Sequence, residues 1–279
     1  MKIITLIENS DGKEGLRSEF GLSLHIEANG KKVLFDAGSS STFAENAKRL
    51  GVDLGQVDIA VLSHGHYDHG GGLGAFFLSN ANALLFLRTT ADGDHYARFL
   101  LKKRYVGLDR AVLQANKARL KWVEKDIEIA PGLHLLTTIP DDEQRPQTGK
   151  MILVRTEAAY VPDTFTHELA FVVKEPDGIS VFTGCGHQGV LNMILAARRR
   201  FPDEPIKAVI GGFHLINNPV TGGMAGTPEE TRRIGQRIKQ LGCQRIISGH
   251  CTGRKASAIL KQELKDEYFE LSTGMIIEV

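Results

Sequence analysis

The segment from His64 to Gly72 carries residues whose types and spacing could bind a metal ion. Three histidines and one aspartate lie within its first six residues, and three glycines follow them. Imidazole and carboxylate are the usual protein ligands of zinc and other first-row divalent metals. If these groups were buried without a metal, each would need its own hydrogen-bonding partner. We therefore predict a metal site here rather than a histidine-rich solvated turn.

The elements before this segment place it at the end of a buried strand. The apolar run 58–63 leads directly into His64 and has the pattern of such a strand. Ligands in α/β proteins gather at the carboxyl ends of strands, and this order puts the three histidines there. The upstream elements are strands at 1–7, 22–28 and 32–36, a hairpin turn at 29–30, and a helix at 42–50.

The same context recurs three times in the second half of the chain. Each time, an apolar strand leads into a glycine-flanked residue that can bind a metal or an anion: Cys185 with His187, then His214, then His250. A lone histidine is usually a structural residue. The repetition favours instead one site assembled from four strand ends.

Other segments complete the predicted organisation. We expect helices over most of residues 75–130 and at 190–200 and 228–241, the last with Thr227 as its N-cap. Residues 140–148 are polar, contain two prolines and are predicted to form a loop that could cover an active site. No low-complexity linker divides the halves, so residues 1–279 are predicted to form a single domain.

The composition argues against several classes of protein. The chain is 42% hydrophobic and 24% charged with a net charge of +1, so no overall field favours nucleic acid or an anionic membrane. No apolar run approaches the ~20 residues that cross a bilayer. The first strand reaches Glu8 and Asp11 too soon for a signal peptide, so we expect a cytoplasmic protein. The three cysteines form no disulfide framework, and nothing indicates the oligomeric state.

The spacing His64-x-His66-x-Asp68-His69 after a buried strand resembles the signature of the metallo-β-lactamase fold superfamily. The Asp36-x-Gly38 turn, the strand end at Cys185 and the Ser248-Gly249-His250 segment agree with it, and the resemblance covers essentially the whole chain. It implies an α/β (α+β) fold of the αββα type. In that fold two mixed β-sheets pack face to face, helices lie on the outer faces, and a metal site lies along one edge.

Longer matches narrow the resemblance to a subfamily. Segments 20–23, 183–192, 211–215 and 250–253 look like those of the subfamily named for a dihydropterin-ribofuranosylaminobenzene phosphate synthase. That name describes a condensation in methanopterin synthesis. It is applied broadly, so it says little about the substrate of this chain.

The spacing and the resemblance together distribute the candidate ligands over two metal ions. His64 and His66 are expected on a first ion, and Asp68, His69 and His250 on a second. The first ion lacks a third ligand, for which the sequence offers two candidates. We favour His187 over His167, because His187 belongs to the subfamily-like motif.

Cys185 departs from the superfamily pattern, in which a metal-bridging aspartate stands at this position. It is either a thiolate ligand or a small buried cysteine packed under the site. Thiolate favours zinc, so we expect one or two divalent ions that are zinc, with manganese and iron as alternatives. Asp36 is a candidate to orient one of the ligand histidines, and Cys243 and Cys251 are predicted to be structural.

The predicted chemistry is hydrolysis of a small molecule. A bound Zn²⁺ lowers the pKa of its water to ~7, so metal-bound hydroxide could attack an ester, lactone or phosphoester. Asp68 is both a ligand and a candidate base. His214 is either a proton donor or anion contact or a structural residue. The basic run 102–104 favours a phosphorylated substrate.

Other functions remain open from the sequence. The subfamily name suggests a transferase that joins a dihydropterin to a phosphoribosyl-aminobenzene substrate with the metal as Lewis acid. A diiron redox enzyme is disfavoured, because no second domain supplies an electron partner. A nucleic-acid module is disfavoured by the balanced charge.

Overall fold

The computed structural model describes residues 1–99, 102–147, 151–218 and 222–279. Within these ranges the chain divides into two compact units. The first unit comprises Met1–Glu124, Lys150–Glu168 and Ser272–Val279, and the second comprises Lys125–Gly149 and Leu169–Leu271. That the whole chain is a single domain stays a prediction.

A seven-stranded mixed sheet forms the centre of the first unit, in the order β20-β1-β2-β3-β4-β5-β8. The first three pairings along this order are antiparallel and the last three are parallel. Its strands are β1 (Lys2–Ile7), β2 (Ser23–Ala28), β3 (Lys31–Phe35), β4 (Ile59–Val61), β5 (Leu84–Arg88), β8 (Leu120–Val123) and β20 (Ile276–Glu278).

Four helices accompany this sheet. They are α1 (Thr42–Arg49), α2 (Tyr67–Gly70), α3 (Leu73–Ser79) and α4 (Arg110–Ala115). Leu34 of β3 and Leu85 of β5 share a buried apolar cluster with Phe43 of α1 and Phe76 of α3. Each such side chain contributes roughly 1.5–3 kcal/mol when fully buried, so this cluster fixes the strand ends that carry the candidate ligands.

A smaller antiparallel sheet in the same unit has the order β12-β11-β6-β7. Its strands are β6 (His95–Phe99), β7 (Lys102–Tyr105), β11 (Ile152–Arg155) and β12 (Tyr160–Pro162). The predicted helix over most of 75–130 is therefore wrong, because β5, β6, β7, β8 and a further strand, β9 (Ile127–Ala130), lie within it. In this segment, pairing with neighbouring strands outweighs the helix propensity of the residues.

The second unit repeats the pairing pattern with the order β19-β18-β15-β14-β13-β10-β9. Its first three pairings are parallel and its last three antiparallel. The strands not yet named are β10 (Leu133–Leu136), β13 (Ala170–Glu175), β14 (Gly178–Thr183), β15 (Ile206–Gly211), β18 (Ile246–Ser248) and β19 (Tyr268–Glu270), and a small hairpin adds β16 (Ile216–Asn218) and β17 (Gly223–Met224).

Three helices accompany the second sheet: α5 (Val190–Arg200), α6 (Pro228–Gln240) and α7 (Arg254–Leu264). Val181 of β14 and Ile246 of β18 share a buried cluster with Ile194 of α5 and Leu260 of α7. The expected fold class, α/β with two mixed sheets and accompanying helices, is confirmed. The predicted loop at 140–148 has no helix or strand over residues 140–146, Gln147 lies in a 3₁₀ turn, and residue 148 lies outside the described ranges.

Helices long and apolar enough to cross a membrane are not found among the described residues.

Candidate metal centre

The first group of candidate ligands lies at the carboxyl end of β4. His64 and His66 belong to the connection that follows this strand, and Asp68 and His69 lie in the short helix α2. His64, His66 and Asp68 are buried, and each offers a ligand atom within 4.8 Å of those of the other two. A Cβ on Gly65 would lie 2.2 Å from the carbonyl oxygen of Ala91, which explains the glycine between the two histidines.

Asp36, at the end of β3, orients this group through its buried carboxylate. It accepts hydrogen bonds from the backbone N–H of Ser63 at 2.7 Å and from the hydroxyl of Ser63 at 2.8 Å. It also accepts from Nδ1 of His69 at 2.6 Å. Asp36 is thus hydrogen-bonded to a candidate ligand histidine as expected, and that His69 binds a metal stays a prediction.

These bonds decide which nitrogen of each ring carries the proton. Because the Ser63 hydroxyl donates to Asp36, its oxygen accepts from Nδ1 of His64 at 2.8 Å. His64 and His69 therefore carry their protons on Nδ1, and Nε2 of each keeps a lone pair. A neutral imidazole whose other nitrogen donates to a carboxylate or hydroxyl is the usual form of a metal-bound histidine. The donor set in this unit therefore fits a divalent metal ion.

His66 also belongs to a second cluster of possible metal ligands. Its members, His66, His95, Asp163 and His167, each offer a ligand atom within 4.8 Å of the others. Burial, together with the neighbouring His167 and His95, holds the pKa of His66 well below its usual value. Burial by itself would raise the pKa of Asp163, but hydrogen bonds from His167 and His95 outweigh it and keep the pKa far below the ordinary range. This cluster therefore contains a carboxylate and neutral His66.

The candidate ligands of the second unit follow β14, β15 and β18. Sγ of Cys185 lies 3.4 Å from Nε2 of His250, and the rings of His187 and His214 have centroids 4.0 Å apart. Cys185, His214 and Cys251 form a further group with ligand atoms within 4.8 Å of one another. Sulfur and imidazole together are a donor set for zinc and other soft or borderline ions.

Hydroxyl groups hold the strand ends of this unit together. Ser248 donates to the carbonyl oxygen of Gly211 at 2.8 Å, and the hydroxyl of Thr252 accepts from the backbone N–H of Phe213 at 3.0 Å. Gly211 has a φ of +132°, and a Cβ there would lie 1.8 Å from the carbonyl oxygen of Thr183. Glycine is therefore required where β14 and β15 run side by side into the candidate ligands.

Two residues of this region have left-handed backbone conformations. His214 and His250 both have a φ of +50°, which is uncommon for residues other than glycine. Such conformations cluster at functional sites, where the surrounding structure enforces them. Both residues were candidate site residues in the sequence, and this observation supports that choice.

Cys251 has a different environment from Cys243. Burial raises the pKa of the Cys243 thiol to about 12. For Cys251, a hydrogen bond with Cys185 and the neighbouring His250 and His214 outweigh burial and hold the pKa well below its usual value. Sequence reasoning predicted both cysteines as structural, and the position of Cys251 beside Cys185 adds it to the candidate ligands.

The structure thus gathers the predicted residues into two sets. Within the first unit it brings together His64, His66, Asp68 and His69, and within the second it brings together Cys185, His187, His214 and His250. Sequence reasoning missed His95, Asp163 and Cys251. The spacing Asp163-x-x-x-His167 was visible in the sequence, but His95 lies in a segment predicted as helix, where no pattern marked it.

Comparisons with known proteins agree with this chemistry. The family model of the metallo-beta-lactamase superfamily matches residues 18–85. A 7,8-dihydropterin-6-methyl-4-(beta-D-ribofuranosyl)-aminobenzene-5'-phosphate synthase of Methanocaldococcus jannaschii is 30% identical, over 100% of this chain and 96% of its own. An N-acyl homoserine lactonase of Bacillus thuringiensis is 28% identical over 47% of this chain and 50% of its own.

A solved structure shares the fold over nearly its whole length. It is that of Tm1679, a metal-dependent hydrolase of the beta-lactamase superfamily, with 31% identity and a TM-score of 0.84. The match covers 100% of this chain and 99% of the other.

Proposed function

We propose that this chain, which belongs to the metallo-beta-lactamase superfamily, is a metal-dependent hydrolase of a small ester, lactone or phosphoester. The observation that carries the proposal is the buried group of His64, His66 and Asp68, whose ligand atoms lie within 4.8 Å of one another. The resemblance to Tm1679, which is named a metal-dependent hydrolase, supports the same reaction class.

A divalent metal held there would supply Lewis acidity toward the substrate oxygen and toward water. His64 and His69 are set up to bind such an ion through Nε2, since Ser63 and Asp36 hold their Nδ1 protons. The ligand set predicted from the sequence, which adds Cys185, His187 and His250, remains part of this proposal, as does zinc as the ion.

Asp68 is the proposed base of the reaction. Its carboxylate is only 9% exposed, and one oxygen lies 3.7 Å from Nε2 of His69, beside the lone pair that would face the metal. A carboxylate at this place can hold the proton that a water molecule loses as it attacks. His214, half-buried and in a left-handed conformation, is proposed to contact the substrate or donate a proton to the leaving group.

A phosphorylated substrate gains support from the position of Arg104. Its guanidinium lies 5.5 Å from the ring centroid of Tyr67, the residue between His66 and Asp68. Arg104 thus lies against the residue that separates two candidate ligands. An exposed cation there can attract a phosphate without burying its own charge.

The test begins with elemental analysis of protein purified without added metal. Lactone, carboxyl ester, thioester and phosphodiester substrates are then screened, with the His66→Ala variant as control. We expect at least one equivalent of a divalent metal, and hydrolysis that is lost in the variant. Full metal content and full activity in His66→Ala would contradict the proposed site.

A second candidate function is a synthase reaction that condenses a dihydropterin with a phosphoribosyl-aminobenzene substrate. The full-length similarity to the Methanocaldococcus jannaschii synthase favours it. The candidate ligands would hold the metal in the same way in both reactions. The two reactions would differ in the nucleophile, which is water in the hydrolysis and a substrate group in the synthase. A condensation product from dihydropterin and phosphoribosyl-aminobenzene substrates, with no turnover of the hydrolytic panel, would favour the synthase.

A further inference from the structure

We propose that His95 is a ligand of the metal ion that His66 binds, and that Asp163 holds it in the ligating tautomer. This inference rests on the proposed metal centre but not on the reaction that it catalyses. His95 is the first residue of β6, a strand of the small antiparallel sheet. In that sheet His95 pairs with Val154 of β11.

Asp163 determines where His95 carries its proton. Its Oδ2 lies 2.7 Å from Nδ1 of His95, and its Oδ1 accepts from the backbone N–H of Phe165 at 2.7 Å. The Asp163 side chain is 4% exposed, and its Oδ2 also lies 3.2 Å from Nε2 of His167, so this buried carboxylate acts as the acceptor for both rings. Nδ1 of His95 therefore carries the proton, and Nε2 keeps a lone pair.

That lone pair lies in the interior. Nε2 of His95 is buried and has no hydrogen-bond partner among the described residues. A buried acceptor without a hydrogen-bond partner is unfavourable, so such an atom calls for an explanation. A metal ion shared with His66, whose ring centroid is 5.4 Å away, supplies one. A substrate cannot reach so deeply buried an atom, which argues against a role for His95 as a base.

The same reasoning excludes His167 as a ligand in this arrangement. Its Nδ1 accepts a hydrogen bond from the backbone N–H of Gly65 at 3.0 Å, so that nitrogen carries no proton. Nε2 must then carry it and donates to Asp163 at 3.2 Å. Both nitrogens of His167 are engaged, and His167 is a positioning residue that helps to fix Asp163. Of the two residues, His95 alone presents a lone pair.

The experiment compares Co²⁺ binding by four proteins: wild type, His95→Ala, Asp163→Asn and His25→Ala. His25 is the matched control, because it is a buried histidine of the same unit that belongs to no candidate ligand cluster. Loss of an orienting residue typically lowers metal affinity about 10–100-fold. We expect the loss of Co²⁺ affinity in Asp163→Asn to fall in that range. The loss in His95→Ala should be larger and should be accompanied by a changed Co²⁺ absorption spectrum. His25→Ala should bind Co²⁺ as the wild type does.

A second variant tests the site without removing the imidazole. A Cβ on Gly93 would lie 2.9 Å from Nε2 of His95, so Gly93→Ala should obstruct the lone pair and reproduce the weakened Co²⁺ binding of His95→Ala. If His95→Ala and Gly93→Ala bind Co²⁺ with the wild-type spectrum and lose no more affinity than Asp163→Asn, the proposal is overturned. A wild-type protein that binds Co²⁺ but hydrolyses nothing would refute the proposed function and leave this measurement intact.

Discussion

The two seven-stranded sheets share one pattern of pairing but carry different donors at the ends of their parallel strands. In the first unit, β3 and β4 end in a group built of imidazoles and carboxylates, in which Asp36 fixes His69 through a 2.6 Å hydrogen bond. In the second unit, β14 and β18 end in Cys185 and His250, 3.4 Å apart, with Cys251 beside them.

The supports of the two groups differ as well. In the first unit, Asp36 orients His69 directly and His64 through the hydroxyl of Ser63, whereas hydroxyls of Ser248 and Thr252 hold the backbone turns of the second. Carboxylates set the protonation of imidazole, while hydroxyl bonds to the backbone set position alone. The same pairing pattern therefore ends in a nitrogen and oxygen donor group in one unit and in a sulfur-containing donor group in the other.

The largest effect should come from a ligand of the first unit. We expect His64→Ala to lose a metal equivalent and about 10³-fold or more in activity, because a lost Lewis acid removes several kcal/mol of transition-state stabilisation. Metal analysis and steady-state kinetics measure it. His134→Ala, a buried histidine of β10, is the control in the other sheet. Equal losses in the two variants would mean that the effect is structural.

Adding a methyl group at a strand end of the second unit should destabilise the protein more than adding one at a turn of the first unit. Gly211→Ala places a Cβ 1.8 Å from a backbone oxygen at a φ of +132°, so we expect a loss of about 3 kcal/mol or more in the free energy of unfolding. Gly30→Ala in the first unit has a φ of +72° with open space around it and should cost about 1 kcal/mol. Urea unfolding compares the two, and similar costs would contradict the tight packing assigned to β14 and β15.

Removing the orienting carboxylate should affect metal binding more than removing an orienting hydroxyl. Asp36→Asn keeps the shape but loses the charge that holds Nδ1 of His69, so we expect metal affinity to fall about 10–100-fold. Ser248→Ala should lower stability by about 1 kcal/mol with a smaller change in affinity. Isothermal titration with zinc distinguishes them, and a larger affinity loss in Ser248→Ala would reverse the comparison.

The sulfur of Cys185 should determine metal preference. In Cys185→Asp a hard carboxylate replaces a soft thiolate, so the ratio of zinc to manganese affinity should fall by about tenfold. Competition titrations measure the ratio, and Cys243→Ser is the control at a buried cysteine that belongs to none of the candidate ligand groups among the described residues. An unchanged ratio would favour the alternative that Cys185 is a buried structural residue.

The last prediction concerns acid lability, which should arise mainly in the first unit. Burial lowers the pKa of His66, His167 and His25 there, and that of His134 in the second unit. Below pH ~6.5 the unfolded chain binds protons that the folded chain excludes, so stability is greatest above that pH and falls as pH decreases. Each excluded proton contributes up to about 1.4 kcal/mol per pH unit. Urea unfolding of metal-free protein at pH 7.5 and 5.5 measures the loss, which His25→Asn should reduce.

Much of this arrangement could be predicted from the sequence, because it follows from short-range patterns. The strand before His64, the hairpin turn at Asn29 and Gly30, and the cap of α6 were all predicted. In the structure Thr227 and Glu230 form a reciprocal capping box, as local side-chain and backbone bonding requires. Where the local pattern misled, at 75–130, the strands are stabilised by pairing with segments far along the chain.

The sequence by itself determined the types of donor and their places at strand ends, because both depend on neighbouring residues. Only the tertiary structure decided which nitrogen of each histidine is available, because that depends on partners from distant strands. Asp36 sets His69 from 33 residues away, and Asp163 sets His95 from 68 residues away. No local pattern encodes such a pair, so the sequence predicted a metal site, while the fold decided which nitrogen of each candidate histidine is available.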